Sequence, residues 1–235
     1  MKNNMKQLAL VAAGLFAAAG VAQATLIQNN FNNLNTAIPD GNPVGTTFSD
    51  VVSGSSGSIE NVDVNLDISG GYNGDLYGYL VYTDGNNDST MSVLLNRVGA
   101  TSSNPAGYSD PGMDVTLSGV GVNDIHLYQN FSPTYNGSGQ VTGTFAADGR
   151  AVDPSTATSS APQTAGLNMF NGLSSANGTW TLFLADMSVG GQSTLVSWGL
   201  DISVVPEPVT WALIGFAGIL GVMKLRSLRM ARKTA

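Results

Sequence analysis

Ile59-Glu60-Asn61-Val62-Asp63-Val64-Asn65-Leu66-Asp67-Ile68 is the stretch that decides the fold. Val62, Val64, Leu66 and Ile68 share one side of an extended chain, and Asp63, Asn65 and Asp67 share the other. That is the period-two alternation of a half-buried antiparallel strand. Working outward, the same grammar continues over residues 76–82, 91–95, 114–117, 124–128, 141–145, 180–185 and 195–204. Gly-rich and Asn/Asp/Ser-rich turns separate these runs. No segment between residues 46 and 205 carries a helical stripe, so the reading is all-β and antiparallel, a β-sandwich or jelly roll. Gly149 to Gln163 reads as a long loop over its edge. Residues 25–45, Asn-rich with Pro39 and Pro43, show no periodicity and read as a flexible arm before a sandwich at 46–204.

Both ends of the chain differ in kind from this middle. Lys2 and Lys6 precede an apolar run from Leu8 to Val21, and Ala22-Gln23-Ala24 fits a small-x-small cleavage site. Residues 1–24 are thus expected to be a signal peptide cut by signal peptidase. At the other end Val205-Pro206-Glu207-Pro208 leads into fifteen uncharged residues, Val209 to Met223. A basic tail follows: Lys224, Arg226, Arg229, Arg232 and Lys233. Fifteen residues fall short of the ~20 that cross a bilayer core unaided. Leu225 and the snorkelling stems of Lys224 and Arg226 extend the run, which gives an expected transmembrane helix. The basic cluster predicts a cytoplasmic C-terminus. Pro206 and Pro208 hold Glu207 extended, as a protease substrate requires. The alternative is a permanent anchor with no processing.

The order of short motif, apolar helix and basic tail over residues 205–235 resembles the PEP-CTERM sorting signal of Gram-negative bacteria. The resemblance implies an exosortase as partner, a transient stay in the inner membrane, and delivery to the cell surface or extracellular matrix.

Between the two ends the charge balance is lopsided. Only Arg97 and Arg150 are basic, against fifteen acidic residues, a net charge of −13 with no lysine. Such a surface repels nucleic acid and anionic lipid, which excludes a nucleic-acid partner. The chain has no cysteine, hence no disulfide, thiolate metal site or cysteine nucleophile.

Two further motifs carry a second resemblance. Asp67-Ile68-Ser69-Gly70-Gly71-Tyr72-Asn73-Gly74-Asp75-Leu76 leads into Tyr79-Leu80-Val81. Later come Gly178-Thr179-Trp180-Thr181-Leu182-Phe183-Leu184-Ala185-Asp186 and Leu195-Val196-Ser197-Trp198-Gly199-Leu200. Together these are similar to the P domain (P/Homo B) of proprotein convertases over residues 48–204. The resemblance implies a galactose-binding-like jelly roll. Ser69 stands where that family usually has His, Thr83 to Asp88 replaces its Ser-Pro-x-Gly turn, and the subtilisin-like protease that normally precedes the domain is absent.

Catalytic residues are not expected. His126 is the one histidine, it is read as an exposed or edge position of a strand at 124–128, and no Gly-x-Ser-x-Gly elbow exists. No cofactor is required, but calcium has candidate ligands: Asp84, Asn86 and Asp88 offer oxygens at alternate positions. The same residues make a good hairpin turn. Asp75 and Asp186, the acids of the family motifs, are second metal candidates, with loop fixing by backbone hydrogen bonds as the alternative. Tyr72, Tyr77 and Tyr79 are candidate stacking surfaces for extracellular polysaccharide, and Tyr77 and Tyr79 share a facing. Trp180 and Trp198 read as core. The sequons at Asn136 and Asn177 read as turn chemistry. The functional expectation is a non-catalytic surface or biofilm-matrix protein with a structural or adhesive sandwich. The alternative is a carbohydrate-binding module with a defined sugar pocket.

Overall fold

The computed structural model describes residues 23–206, residue 215 and a helical run at 218–223. Residues 1–22 of the expected signal peptide, Glu207 and Pro208, most of the apolar run and the basic tail lie outside the described residues. Among the described residues no helix is long and apolar enough to cross a membrane.

The chain from Thr25 to Val204 forms one compact unit of two sheets. Its strands are β1 (Thr25–Phe31), β2 (Thr36–Ile38), β3 (Asn42–Val52), β4 (Ser58–Gly70), β5 (Leu76–Thr83) and β6 (Ser89–Asn96). They continue as β7 (Gly112–Ser118), β8 (Thr134–Tyr135), β9 (Val141–Ala146), β10 (Gly178–Asp186) and β11 (Ser193–Val205). A seven-stranded sheet runs β1-β11-β4-β7-β9-β8, with β2 also paired to β11, and a four-stranded sheet runs β3-β10-β5-β6. The β7–β9 pair is parallel, so the sandwich is not wholly antiparallel as expected: the connection through Ile125–Phe131 and β8 is long enough to carry the chain back for a parallel crossover.

The deciding strand behaves as its alternation requires. Val62, Val64, Leu66 and Ile68 are fully buried, while Asn61, Asp63, Asn65 and Asp67 stay partly exposed on the outer face. Against them β5 and β10 contribute Leu76, Leu80, Trp180, Leu182 and Leu184, all at 0 % exposure. Trp180 meets Phe170 edge-on, and its indole N–H donates to the Ala176 carbonyl at 3.1 Å. An aromatic with a polar handle is thereby buried with no orphan donor.

Two further sequence expectations are corrected. Residues 25–45 are no flexible arm: β1 pairs with β11 from Thr25↔Val204 to Phe31↔Trp198, β2 pairs with β11, and β3 begins at Asn42. Their polar, aperiodic composition suits edge strands, where one side faces water. The expected strand at 124–128 is a 3-10 turn, Ile125–Phe131. Asp124 caps it by accepting from the His126 backbone N–H at 2.9 Å. The turn is kinked at Leu127, and Ile125, His126 and Tyr128 are all buried. The loop after Gly149 is a loop, with one 3-10 turn at Pro154–Thr156.

Candidate functional site

His126 sits in a closed buried network rather than on an exposed strand. Its Nδ1 lies 2.8 Å from Asp148 Oδ2 and its Nε2 lies 2.9 Å from the Ala100 carbonyl oxygen. Both partners are acceptors, so the imidazolium, which donates from both ring nitrogens, is the form that satisfies them. Burial opposes that charge, but the hydrogen bond and charge of Asp148 and the Ala100 carbonyl outweigh it, leaving the pKa raised. Arg150 continues the network to Asp148 Oδ1 at 3.2 Å and to Asp124 Oδ2 at 2.7 Å. Asn96 joins it by donating to the Arg150 carbonyl at 2.8 Å, while Asn96 Oδ1 and Arg150 Nε have no partner. With both nitrogens occupied at 0 % exposure, His126 has no lone pair to take a substrate proton.

Asp75 and Asp186, predicted separately, come together. The pairing of Asp186 with Leu76 brings Asp75 alongside, and the Met187 N–H donates to the Asp75 carbonyl at 2.7 Å. Asp40, which no sequence motif marked, accepts from the Gly190 N–H at 3.1 Å and is near enough for its charge to act on the pair, but not grouped with them to hold a metal ion. Burial raises the pKa of both Asp75 and Asp186 from the ordinary carboxylate value; a hydrogen bond from Ser188 counters the rise at each, Arg97 counters it further at Asp75, and neighbouring carboxylates add to it. Arg97 stands 3.7 Å from Asp75. Asp186 Oδ1 accepts from the Ser188 N–H at 3.2 Å, the loop-fixing role. Tyr72 is 44 % exposed, and its ring lies against Gly191 of the loop that follows Asp186.

Asp84, Asn86 and Asp88 form a tight turn between β5 and β6. Asp84 Oδ1 accepts from the Asn86 N–H at 2.8 Å and the Asp88 N–H at 3.0 Å, and Asn87 adopts φ +67°. The carboxylate oxygen nearest the loop is thus occupied by the loop itself. Among the described residues no three His, Cys, Asp or Glu side chains are grouped to hold a metal ion.

Tyr77 and Tyr79 do share a face, the outer side of the four-stranded sheet, with ring centroids 5.8 Å apart. Phe183, directly opposite Tyr79 on β10, stacks on it at 4.6 Å and lies over Gly45, where φ +60° and the nearby ring leave no room for a Cβ. The aromatic faces are therefore partly spent on one another. Across this sheet face Thr47, Ser49, Val51, Val81, Thr179 and Thr181 complete an uncharged surface. The opposite sheet carries an amide and carboxylate ladder instead: Gln28 and Asn65 both donate to Asp201, at 3.1 Å each, and Thr116 donates to Asn65 at 2.7 Å.

A fourth cluster gathers around Asp110. Its Oδ2 accepts from Tyr128 Oη at 2.5 Å and from Gln129 Nε2 at 2.6 Å, and Asn73 Nδ2 donates to Tyr128 Oη at 3.1 Å. Tyr108 packs edge-on to Tyr128 at 4.8 Å. Burial, and after it the Asp110 carboxylate, raises the pKa of Tyr135, which is 44 % exposed beside it. The tyrosines were visible in the sequence, but nothing there linked them to Asp110, Gln129 or Asn73, which lie on three separate segments. A shallow groove of about 150 Å³ lies elsewhere, lined by Thr25, Ile27, residues 53–56 and Val204. Val205 and Pro206 directly follow this edge of the β1–β11 pair.

No protein-family model matches the chain, and no curated protein matches it. Solved structures similar to it include the complex of the Aeromonas sobria serine protease and chaperone, with TM-score 0.44 and 16 % identity over 80 % of this chain and 28 % of that one. A second is the serine protease of Aeromonas sobria, with TM-score 0.42 and 16 % identity over 81 % of this chain and 29 % of that one. The chain spans less than a third of the length of these proteins.

Proposed function

We propose that this chain is a non-catalytic exported protein of a Gram-negative bacterium whose β-sandwich acts structurally or adhesively at the cell surface or in the extracellular matrix. Signal peptidase removes residues 1–24, the apolar run holds the chain briefly in the inner membrane, and an exosortase acts at Val205-Pro206-Glu207-Pro208. The sandwich is a P-domain-like jelly roll, now drawn to include residues 25–45. The observation that carries the non-catalytic reading is His126: the one histidine of the chain is fully buried with both ring nitrogens bonded to acceptors. The −13 charge of the exported part supports a soluble role outside the cell.

Sorting is tested by replacing Pro206-Glu207-Pro208 with three alanines in the full chain and fractionating the cells. Loss of the surface or matrix form, with the uncut chain trapped in the inner membrane, is expected. Unchanged release would overturn the sorting reading.

The second reading is a carbohydrate-binding module, helped by calcium if the Asp84 turn or the Asp75–Asp186 pair takes one up. Clustered tyrosines and the uncharged face of an otherwise acidic domain favour it. Pull-down with the organism's own extracellular polysaccharide, in calcium and in chelator, decides between the two readings.

A further inference from the structure

We propose that Asn136 is a site of spontaneous covalent modification, its side-chain amide becoming a carboxyl through a cyclic imide formed with the backbone nitrogen of Gly137. This goes beyond the functional readings above and depends on neither of them.

The chain holds four Asn-Gly pairs, at Asn73, Asn136, Asn171 and Asn177. Glycine after asparagine puts no Cβ beside the following amide nitrogen, so that nitrogen can close on the side-chain carbonyl carbon. The fold disarms three of the four. Asn73 is fully buried, and the Gly74 N–H donates to the Tyr108 carbonyl at 2.8 Å. Asn171 is exposed, but the Gly172 N–H donates to the Ile59 carbonyl at 2.8 Å. Asn177 is held at both side-chain polar atoms by Ser55, and Gly178 lies inside β10 opposite Val52.

Asn136 differs on each count. It opens the turn between β8 and β9, where Gly137 and Ser138 are exposed. The Asn136 N–H donates to the Gln140 carbonyl and the Gly139 N–H to the Asn136 carbonyl, each at 3.0 Å, so the turn is set. Between them the Gly137 N–H has no acceptor among the described residues. The carbonyl it would attack is polarised, since Asn136 Oδ1 accepts from the Ser138 N–H at 2.9 Å and from the Gln140 N–H at 3.1 Å. Two backbone donors on an oxygen that gains negative charge during attack stabilise that charge, as an oxyanion hole does.

The step balances with water alone. The Gly137 nitrogen gives its proton to hydroxide and bonds to Asn136 Cγ. The Cγ–Nδ2 bond breaks, and Nδ2 leaves as ammonia after taking a proton from water, which restores the hydroxide. Water then opens the imide at either carbonyl, giving aspartate or isoaspartate. The product lacks the bond from Asn136 Nδ2 to Gln140 Oε1, 2.8 Å in the amide form. Gln140 in turn ties the hairpin to β4, donating to Asp67 Oδ1 at 2.7 Å and to the Ile68 carbonyl at 3.0 Å. Conversion therefore adds a negative charge beside that tie and loosens β8, the outermost strand of the larger sheet.

The test is to hold the full chain in detergent, warm and at mildly alkaline pH, and follow all four pairs by peptide mass spectrometry with isoaspartate separated chromatographically. Conversion at Asn136 is expected first, while the other three pairs stay intact in the folded chain and convert once guanidinium unfolds it. Gly137→Ala should slow conversion at Asn136 by about tenfold, a barrier higher by about 1.4 kcal/mol. A Cβ at that position meets open space, so this variant keeps the fold. Conversion at Asn73, Asn171 or Asn177 ahead of Asn136 in the folded chain would overturn the assignment. So would an Asn136 that converts more slowly folded than unfolded, or a Gly137→Ala variant that converts as the parent does.

Discussion

His126 places one ring nitrogen 2.8 Å from Asp148 and the other 2.9 Å from the Ala100 carbonyl oxygen, and this pairing ties part of the domain's stability to pH. Burial disfavours the charged ring, yet the partners on both nitrogens leave its pKa raised above 6.5. A group whose folded pKa exceeds its unfolded one adds stability that is complete below the unfolded value and is lost as pH rises through the folded value. The chain has one histidine, the side chain whose ordinary titration lies between about pH 5 and 8. Urea midpoints should therefore fall as pH is raised from about 6 to 9, with His126→Gln flattening the profile. A rising or level parental profile would contradict the imidazolium. His126→Ala should cost about 3–5 kcal/mol, because Asp148 then loses one of its two buried cationic partners.

On the outer face of the larger sheet Asp67 and Asp114 are directly opposed across β4 and β7. Burial and then the Asp67 charge raise the Asp114 pKa, so the folded state disfavours the charged form and gains stability as pH falls through the raised value. Opposed like charges on a strand pair cost about 0.2–1 kcal/mol, and Asp114 is exposed, so salt screens the effect. Asp114→Asn should raise the melting temperature slightly in low salt, and less in molar salt. A variant that melts lower than the parent would show that the pair is held together by something else.

Asn177 pins one sandwich end. Its Oδ1 accepts from the Ser55 N–H at 2.7 Å and its Nδ2 donates to the Ser55 carbonyl at 2.8 Å, the paired bonds of a strand made by a side chain. Replacing it with Ala leaves both backbone groups without that partner, at a cost of about 1–3 kcal/mol by chemical denaturation. Asn177→Asp should be nearly as harmful, since a carboxylate cannot donate to the carbonyl. A neutral Ala variant would mean that water replaces the amide without loss.

The Asp84 turn gives a cheap decision on calcium. Asp84→Ala removes the acceptor for two backbone N–H groups and should lower stability by about 0.5–2 kcal/mol, as loss of a comparable cap does. If turn geometry is its whole role, the drop is equal in calcium and in chelator. A larger drop in calcium would assign the oxygens to the ion.

Strand positions and the core were legible because alternation is a local signal: a reader of residues 59–68 sees which side chains must face inward. Residues 25–45 were not legible. Gln28, Asn29 and Asn30 alternate between sheet and solvent without an apolar partner to reveal it, and their pairing depends on β11, some 170 positions away in sequence. His126 failed for a different reason. Asp124 followed by alternating Ile, His, Leu and Tyr fits a strand as well as a capped 3-10 turn, and only the Asp148 and Ala100 acceptors, brought in by tertiary structure, settle its burial. The candidate sites divide likewise. Tyr77 and Tyr79 lie on one strand and were paired in advance, whereas Asp110, Gln129, Tyr135 and Asn73 meet only in the folded chain.

The first strand gives the sharpest contrast between the two readings of the N-terminal segment. Thr25 lies opposite Val204, so the residue after the expected signal-peptide cut and the residue before the Val205-Pro206 motif are neighbours on one edge. Phe31 closes the other end of the strand by stacking on Trp198 at 4.9 Å, and Asn29 hydrogen-bonds Asp50 on β3 across 2.5 Å. A dispensable arm would leave the melting curve unchanged when removed. Deleting residues 25–31 instead strips the outer neighbour from β11, uncovers Trp198 and Ile202, and leaves a row of unpaired backbone groups on a long strand. The truncated domain should unfold at clearly lower urea than residues 25–205 and should aggregate at concentrations where the parent stays monomeric. Phe31→Ala in the intact domain should reproduce part of that loss, about 1–3 kcal/mol for a half-buried aromatic, without creating the open edge. Coincident unfolding curves for the parent and the truncation would return residues 25–31 to the status of an arm.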